Sequence, residues 1–317
     1  MLSSKDIREY VSAVILLLVL TVASIFPAAI LSVLCSAASI AILGYLTTKF
    51  HYGYVAGAAL SICIVYVLLM QSVLAALISA LPVVFCGLSL GISKNISLSP
   101  LKTISIVTAV YTLNVTANLK LTTALFGQNS IETALETAGL IYREAISAAY
   151  GAQMSENEIS AIVSETISSI LQLTPAFLII MCFAFSLLAF YLFKRICMIR
   201  KADITPLTAF SDWRAEKGIS IIFFILLVAT LLLPAGTLWT DAILNLVTIM
   251  SVVFFMFGLS LLEHILIPKV TKSGKRKFIL VCVALLTLLF VGVPFLIISV
   301  AGAMDGIMDY RKKMSVR

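Results

Sequence analysis

Charge is scarce in this chain: only 12% of its 317 residues are Asp, Glu, Lys or Arg, about half the roughly 25% of a soluble globular domain. Water is therefore not the main solvent for most of it. Disorder, which needs high charge and low hydrophobicity, is excluded on the same ground. Histidine is reduced to His51 and His264, each at the end of an apolar run, so a zinc site has no donor set. The cysteines Cys35, Cys63, Cys86, Cys182, Cys197 and Cys282 form no Cys-x-x-Cys pair. Most lie inside apolar runs and read as small buried hydrophobes rather than disulfide or metal partners. There is no phosphate-binding Gly-x-x-x-x-Gly-Lys-Ser/Thr loop, no His-Glu-x-x-His, no Gly-x-Ser-x-Gly, and no arrangement suited to an intramembrane protease. These absences predict a protein that is not an enzyme and uses no cofactor or metal.

What is abundant is hydrocarbon. Hydrophobic residues make up 61% of the chain, and the mean hydropathy is +1.12. Apolar runs cover residues 10–26, 28–46, 54–70, 72–92 and 103–119, then 173–193, 218–238, 242–263 and 277–310. Most are long enough to cross the roughly 30 Å hydrocarbon core of a bilayer as helices. The first run follows Lys5 and Arg8 as a signal peptide would, but a second begins at once, so it reads as a retained helix. The last is too long for one span. Gly292 and Pro294 near its middle predict a break, because proline removes a helix donor and crowds the preceding turn. The pieces, 277–291 and 295–310, would each be about 22–24 Å long. They cross twice or form a re-entrant hairpin; both give the same parity.

The reading is an all-α polytopic transmembrane bundle of about ten membrane-crossing or re-entrant helices. It divides into N-terminal helices (1–121), an extracytoplasmic amphipathic hairpin (122–172), and C-terminal helices (173–317) with a cytoplasmic loop at 194–217. Charge orients it. With a cytoplasmic N-terminus, all of the 22 Lys and Arg residues except Lys120 and Arg143 fall on the inner side. Cationic loops resist translocation, so both termini are expected in the cytoplasm. The net charge of +7 then reflects topology and headgroup contacts, with no nucleic-acid partner.

Turns are expected at Phe26-Pro27, at Gln71-Ser72, and across residues 234–241, with Trp239 as an interfacial anchor. In the hairpin, Asn129 caps a helix whose apolar positions include Ile131, Leu135 and Ala138; Gly151 ends it. Ser155 and Glu158 form a capping box for a second helix that continues into the next span.

Several polar groups sit where amides and acids are costly. Tyr111, Asn114, Asn118 and Thr122 share one helical face, and Asp241, Asn245 and Thr248 form a similar stripe. The first stripe either lines a ligand cavity or makes interhelical hydrogen bonds, and in the second Asp241 is either a ligand residue or a helix N-cap at the surface. Asp305 and Asp309, one turn apart, precede Tyr310-Arg311-Lys312-Lys313 and suggest a salt bridge with that cluster or with a neighbouring helix. The segment Phe210-Ser211-Asp212-Trp213-Arg214 suits a membrane-surface anchor or a partner contact. Glu263-His264 reads as interfacial. Gly53-x-x-x-Gly57 and Gly87-x-x-x-Gly91 allow close helix contact.

The ending Gly302-Ala303-Met304-Asp305-Gly306-Ile307-Met308-Asp309-Tyr310-Arg311 resembles the Gly-x-x-Asp-x-x-x-Asp-(Phe/Tyr)-Arg ending of the YybS-type bacterial membrane proteins (domain of unknown function 2232). Phe210-Ser211-Asp212-Trp213 resembles that family's Phe-Ser-x-Trp segment, with Arg214-Ala215 where Leu-Pro often follows. That family is distantly similar to the substrate-binding subunits of energy-coupling-factor transporters. The resemblance implies a helical bundle that binds a small solute and borrows its ATPase from partner proteins. Two functions follow as expectations. One is a solute-binding or transport protein with Tyr111, Asn114, Asn118, Asp241 and Asn245 at its ligand. The other is a membrane scaffold or regulator that meets the membrane interface or a cytoplasmic protein through Trp213, Arg214, Asp305, Asp309 and Arg311. The lipid bilayer is a partner in both.

Overall fold

The computed structural model describes residues 3–25, 29–127, 130–151, 153–200, 209–234, 236–266, 270, 273–289 and 292–315. Among them there are only helices: α1 (Ser4–Ser24), α2 (Ala29–Lys49), α3 (Tyr52–Met70), α4 (Val73–Asn95), α5 (Pro100–Phe126), α6 (Ser130–Tyr150), α7 (Glu156–Ile199), a 3-10 turn (Phe210–Asp212), α8 (Lys217–Leu232), α9 (Leu238–Leu266), α10 (Ser273–Leu289), α11 (Val293–Met308) and α12 (Tyr310–Ser315). The all-helical class is as expected. Among the described residues α1, α2, α3, α4, α7 and α9 are long and apolar enough to cross a bilayer, and α8 and α11 are apolar but shorter. Length and hydropathy thus support six spans and do not establish ten.

Local rules place the boundaries. Gln71 adopts φ 54°, and Ser72 Oγ accepts the Ala75 N–H, so the expected two-residue turn closes α3 and opens α4. Gly127, at φ 64°, stops α5 at Phe126, two turns beyond the apolar run that suggested it. The Phe26-Pro27 turn and the Asn129 cap lie outside the described residues. The Ser155–Glu158 capping box is present in both directions, and α7 then runs unbroken for 44 residues. At 1.5 Å per residue that is about 66 Å, twice the hydrocarbon thickness. The amphipathic helix and the following span are one rod, which also carries residues 194–199 of the expected loop. Gly292 holds φ 142°, a conformation side chains rarely adopt, and Pro294 sits in the first turn of α11, so the last apolar run breaks as expected.

The chain forms two compact units. One comprises Met1–Ser160 with Met181–Pro206; the other comprises Ala161–Ile180 with Leu207–Arg317. The first is centred on α2, where Ala37, Ala41, Leu43 and Leu46 are wholly buried. Its tightest seam joins α2 and α4. A Cβ on Gly87 would meet Leu43 at 2.8 Å, and one on Gly91 would meet the Gly44 carbonyl at 2.7 Å. At Gly53 and Gly57 the nearest atoms stand at 3.8 and 3.5 Å, so that pair is no seam. In the second unit, Phe223, Phe254, Val247 and Ala303 form a core with Phe224, Met250 and Phe257 packed on it. There α9 and α11 touch backbone to backbone: a Cβ on Gly258 would strike the Ile298 carbonyl, and one on Gly302 the Phe254 carbonyl.

Large apolar side chains point outward along many helices. Val11, Ile15, Leu16 and Val19 on α1 and Leu231 and Leu232 on α8 are all at least 47% exposed. On a soluble protein such patches would drive aggregation; hydrocarbon solvates them. Trp239 is also largely exposed.

Adding one methyl group should therefore separate the glycine pairs. Gly91→Ala and Gly258→Ala should each cost about 1–3 kcal/mol through overpacking. Gly57→Ala should be neutral or stabilising by up to about 1 kcal/mol, since alanine is the better helix former. Thermal stability by fluorescence-detected size exclusion in detergent checks the opposite signs.

Candidate functional site

The polar stripes find their partners in neighbouring helices. Pro82 lies inside α4 and has no N–H to give the carbonyl four residues back, which belongs to Ile78. Asn118 Nδ2, on α5, donates to that same Ile78 carbonyl at 2.9 Å. Asn114 Nδ2 donates within its own helix to Val110 O at 2.7 Å, and Tyr111 stacks on Phe185 with ring centroids 4.5 Å apart.

Asn245 repeats the device on α9. Pro175 lies inside α7, and one rung further on the Ala176 N–H would normally meet the Gln172 carbonyl. The Asn245 amide bridges that rung: Oδ1 accepts from Ala176 N at 2.9 Å, and Nδ2 donates to Gln172 O at 2.8 Å. Asp241, one turn earlier, accepts a short hydrogen bond from the Gln172 side chain. A proline in hydrocarbon needs such repair from a neighbour. Asn118 supplies it for Pro82, Asn245 bonds the rung beside Pro175, and both amides are thereby engaged with backbone.

The second constellation is buried and ionic. Arg311 reaches back from α12 to α11, where its Nε donates to Asp305 Oδ2 at 2.8 Å; the side chains are 9% and 1% exposed. The other guanidinium edges hold the 3-10 turn. Nη1 donates to the Ser211 carbonyl, and Nη2 donates to the Trp213 carbonyl at 2.7 Å and lies 3.2 Å from Ser260 Oγ. Ser260, on α9, sits 2.5 Å from the Phe210 carbonyl and 2.7 Å from that of Trp213. One planar cation thus ties α9 and α11 to two residues of a loop about a hundred positions earlier. The rigid fork of arginine suits this, and the point charge of lysine would not. Asp305 Oδ1 has no hydrogen-bond partner among the described residues, so the carboxylate depends on Arg311.

A more exposed layer surrounds this clamp. Asp309 ends α11 at φ 49°. Its carboxylate meets Arg214 Nη1 at 2.9 Å and Lys312 Nζ at 3.2 Å. Desolvation pushes its pKa up, but the hydrogen bonds and charges of Lys312 and Arg214 outweigh that and hold it below the ordinary carboxylate value. The folded-state pKa is depressed, so this contact is complete at neutral pH and is lost as pH falls below about 4. Trp213 lies edge-to-face against Phe210, with centroids 5.4 Å apart.

Asp305, Asp309, Arg311, Trp213 and Arg214 are therefore one site. The acids do form salt bridges with the basic tail, buried for Asp305 with Arg311 and exposed for Asp309 with Lys312. Sequence reading missed Ser260, which carries no motif, and the two proline–asparagine pairings. The signal for the latter was a lone proline in one apolar run and a lone asparagine in another, too sparse to pair without the fold.

Two double-mutant cycles check this chemistry. Asn118→Ala should cost about 1–3 kcal/mol by orphaning the Ile78 carbonyl, and much less in a Pro82→Ala background, where residue 82 donates to it instead. Arg311→Met should cost about 3–5 kcal/mol by stranding Asp305, whereas Arg311→Met with Asp305→Leu should recover most of the loss. Denaturation midpoints of the four single and two double variants give the coupling.

The model of the family described as "Predicted membrane protein (DUF2232)" matches residues 11–305, nearly the whole described bundle, including the 210–213 turn and Asp305 of the clamp but not Asp309 or Arg311. No curated protein and no solved structure matches the chain. With apolar helices of membrane-spanning length and a match along almost its entire length, the chain belongs to the DUF2232 family of membrane proteins.

Proposed function

We propose that this protein is a multi-pass scaffold or regulator of the bacterial cytoplasmic membrane, not an enzyme, with both termini and the Arg311 clamp on the cytoplasmic side. The distribution of Lys and Arg supports that orientation. One observation carries the functional reading: a buried guanidinium reads two backbone carbonyls of the 210–213 loop and so fixes the loop's shape. Burying an ion pair is weak as a source of stability but effective at imposing one conformation. The conformation so imposed presents exposed Asp212, Arg214, Glu216 and Lys217 with half-buried Trp213. An aromatic ringed by charges of both signs is the composition of a protein-binding patch.

Solute binding in the manner of a transporter subunit is the second reading. Its candidate residues are less available for a ligand, because the Asn118 and Asn245 amides are engaged with the backbone of neighbouring helices. Its support is the resemblance alone.

A photo-cross-linking amino acid at Trp213, in native membranes, should capture one discrete cytoplasmic protein. The adduct should fall at least about fivefold with Arg311→Met, which releases the loop while leaving the patch residues in place. Labelling of lipid only, or equal labelling in both variants, would remove the scaffold reading. A small molecule that co-purifies with wild type and is lost with Asn245→Ala would favour the solute reading.

A further inference from the structure

The start of α10 carries a charge surplus that the clamp does not absorb. Residues 269–277 hold five of the chain's 22 Lys and Arg, and no acid lies between Glu263 and Asp305. Asp305 is committed to Arg311, and Asp309 to Arg214 and Lys312. Counting every charge in segments 207–217, 260–277 and 305–317, clamp and loop included, gives eleven Lys and Arg against five Asp and Glu. No pairing within these segments can neutralise that excess.

Along α10, charge and hydrocarbon are sorted by face. Phe278, Val281 and Leu285, at i, i+3 and i+7, form one stripe and are 69%, 55% and 56% exposed. Lys275 and Lys277 are exposed and stand on either side of the head of this stripe. Arg276 turns the other way, one turn before buried Leu280, and its Nη1 donates to the Val270 carbonyl at 3.1 Å. Among the described residues neither lysine makes an ion pair or a hydrogen bond. The first turn of α10 holds no acid, and cations at that end oppose the helix dipole. The two ammonium groups therefore gain nothing from their own helix.

We propose that the start of α10 binds an anionic phospholipid, with Lys275 and Lys277 on the headgroup phosphate and an acyl chain along Phe278, Val281 and Leu285. Charge complementarity selects this occupant. A cationic pair heading an apolar stripe has the order of an anionic headgroup and its chain, and Leu285 lies about 12 Å along the helix from Lys277. The lysine methylenes can lie on the apolar surface while the ammonium groups stay at headgroup level. An acidic protein would meet the lysines and leave the stripe uncovered. The inference needs the bilayer and not the scaffold reading.

The test is native mass spectrometry of the full chain, delipidated in detergent and offered equimolar phosphatidylglycerol and phosphatidylcholine. The first lipid retained by wild type should be phosphatidylglycerol by about fivefold or more, the preference that lysines near a headgroup confer. Lys275→Gln with Lys277→Gln should bring the ratio close to one, while Lys269, Lys272 and Arg276 keep the segment cationic. Lys94→Gln with Lys102→Gln removes the same charge from the first unit and should keep the preference. Size-exclusion profile and helicity confirm that each variant is folded. Equal retention of the two lipids by wild type, or the same loss in both double variants, would overturn the proposal, the latter by showing attraction to overall charge. Displacement of phosphatidylglycerol by millimolar inorganic phosphate would overturn it in favour of a soluble phosphate site. Protection of the two lysines from amine labelling by a cytoplasmic extract, and not by phosphatidylglycerol vesicles, would overturn it in favour of a protein partner.

Discussion

In hydrocarbon, a backbone carbonyl or N–H without a partner costs several kcal/mol, and a proline inside an α-helix creates such groups. Much of the polar chemistry in this bundle answers that one constraint. Pro82 deprives the Ile78 carbonyl of its donor, and Asn118 replaces it. Pro175 lies inside α7, and Asn245 spans the next rung with both ends of its amide. Serines and threonines elsewhere turn inward to carbonyls of their own helices, as Thr47 does to Leu43 and Ser186 to Cys182. The Ser299 hydroxyl also reaches across to the Ser251 carbonyl at the α9–α11 seam.

The Arg311 clamp obeys the same rule at a helix end. The loop from Phe210 to Trp213 leaves α-helical geometry, so its carbonyls need donors. One guanidinium and one hydroxyl serve them, and Asp305 neutralises the cation. The close approach needed for this comes from glycine. Gly258 and Gly302 let α9 and α11 meet backbone to backbone, and Gly306 makes room for Ser220 and the Ala215 carbonyl. Packing without side chains and a buried ion pair are thus parts of one construction, which spans the two segments that carry the family resemblance.

Much of the fold was legible in the residues. The Gln71-Ser72 turn, the Ser155–Glu158 box and the Gly292–Pro294 break all follow from local geometry that any context would enforce. Close helix contact was expected equally at two glycine pairs: Gly87 and Gly91 form the α2–α4 seam, whereas Gly53 and Gly57, with the same spacing, pack against nothing tight. Spacing says which residues share a face; it does not say whether a second helix lies on that face. The end of α5 was misjudged by two turns because Thr122 and Thr123 are polar, while the helix stops only where Gly127 turns left-handed.

Solvation and local geometry are therefore what the sequence determined on its own: an all-helical chain in lipid, with its breaks at glycine, proline and capping side chains. These depend on side-chain chemistry within a few residues, which the chain carries wherever it goes. Tertiary structure decided what the polar groups do. The stripe of Asn114 and Asn118 suited a ligand or a neighbouring helix, and Asp241 a ligand or a surface cap, and only the packing of the neighbouring helices settles the bonds of Asn118 and Asn245. The same holds for Arg311 and Trp213, about a hundred residues apart, whose contact depends on how closely α9 and α11 approach. Long-range pairing depends on which surfaces bury each other, and no single helix encodes that.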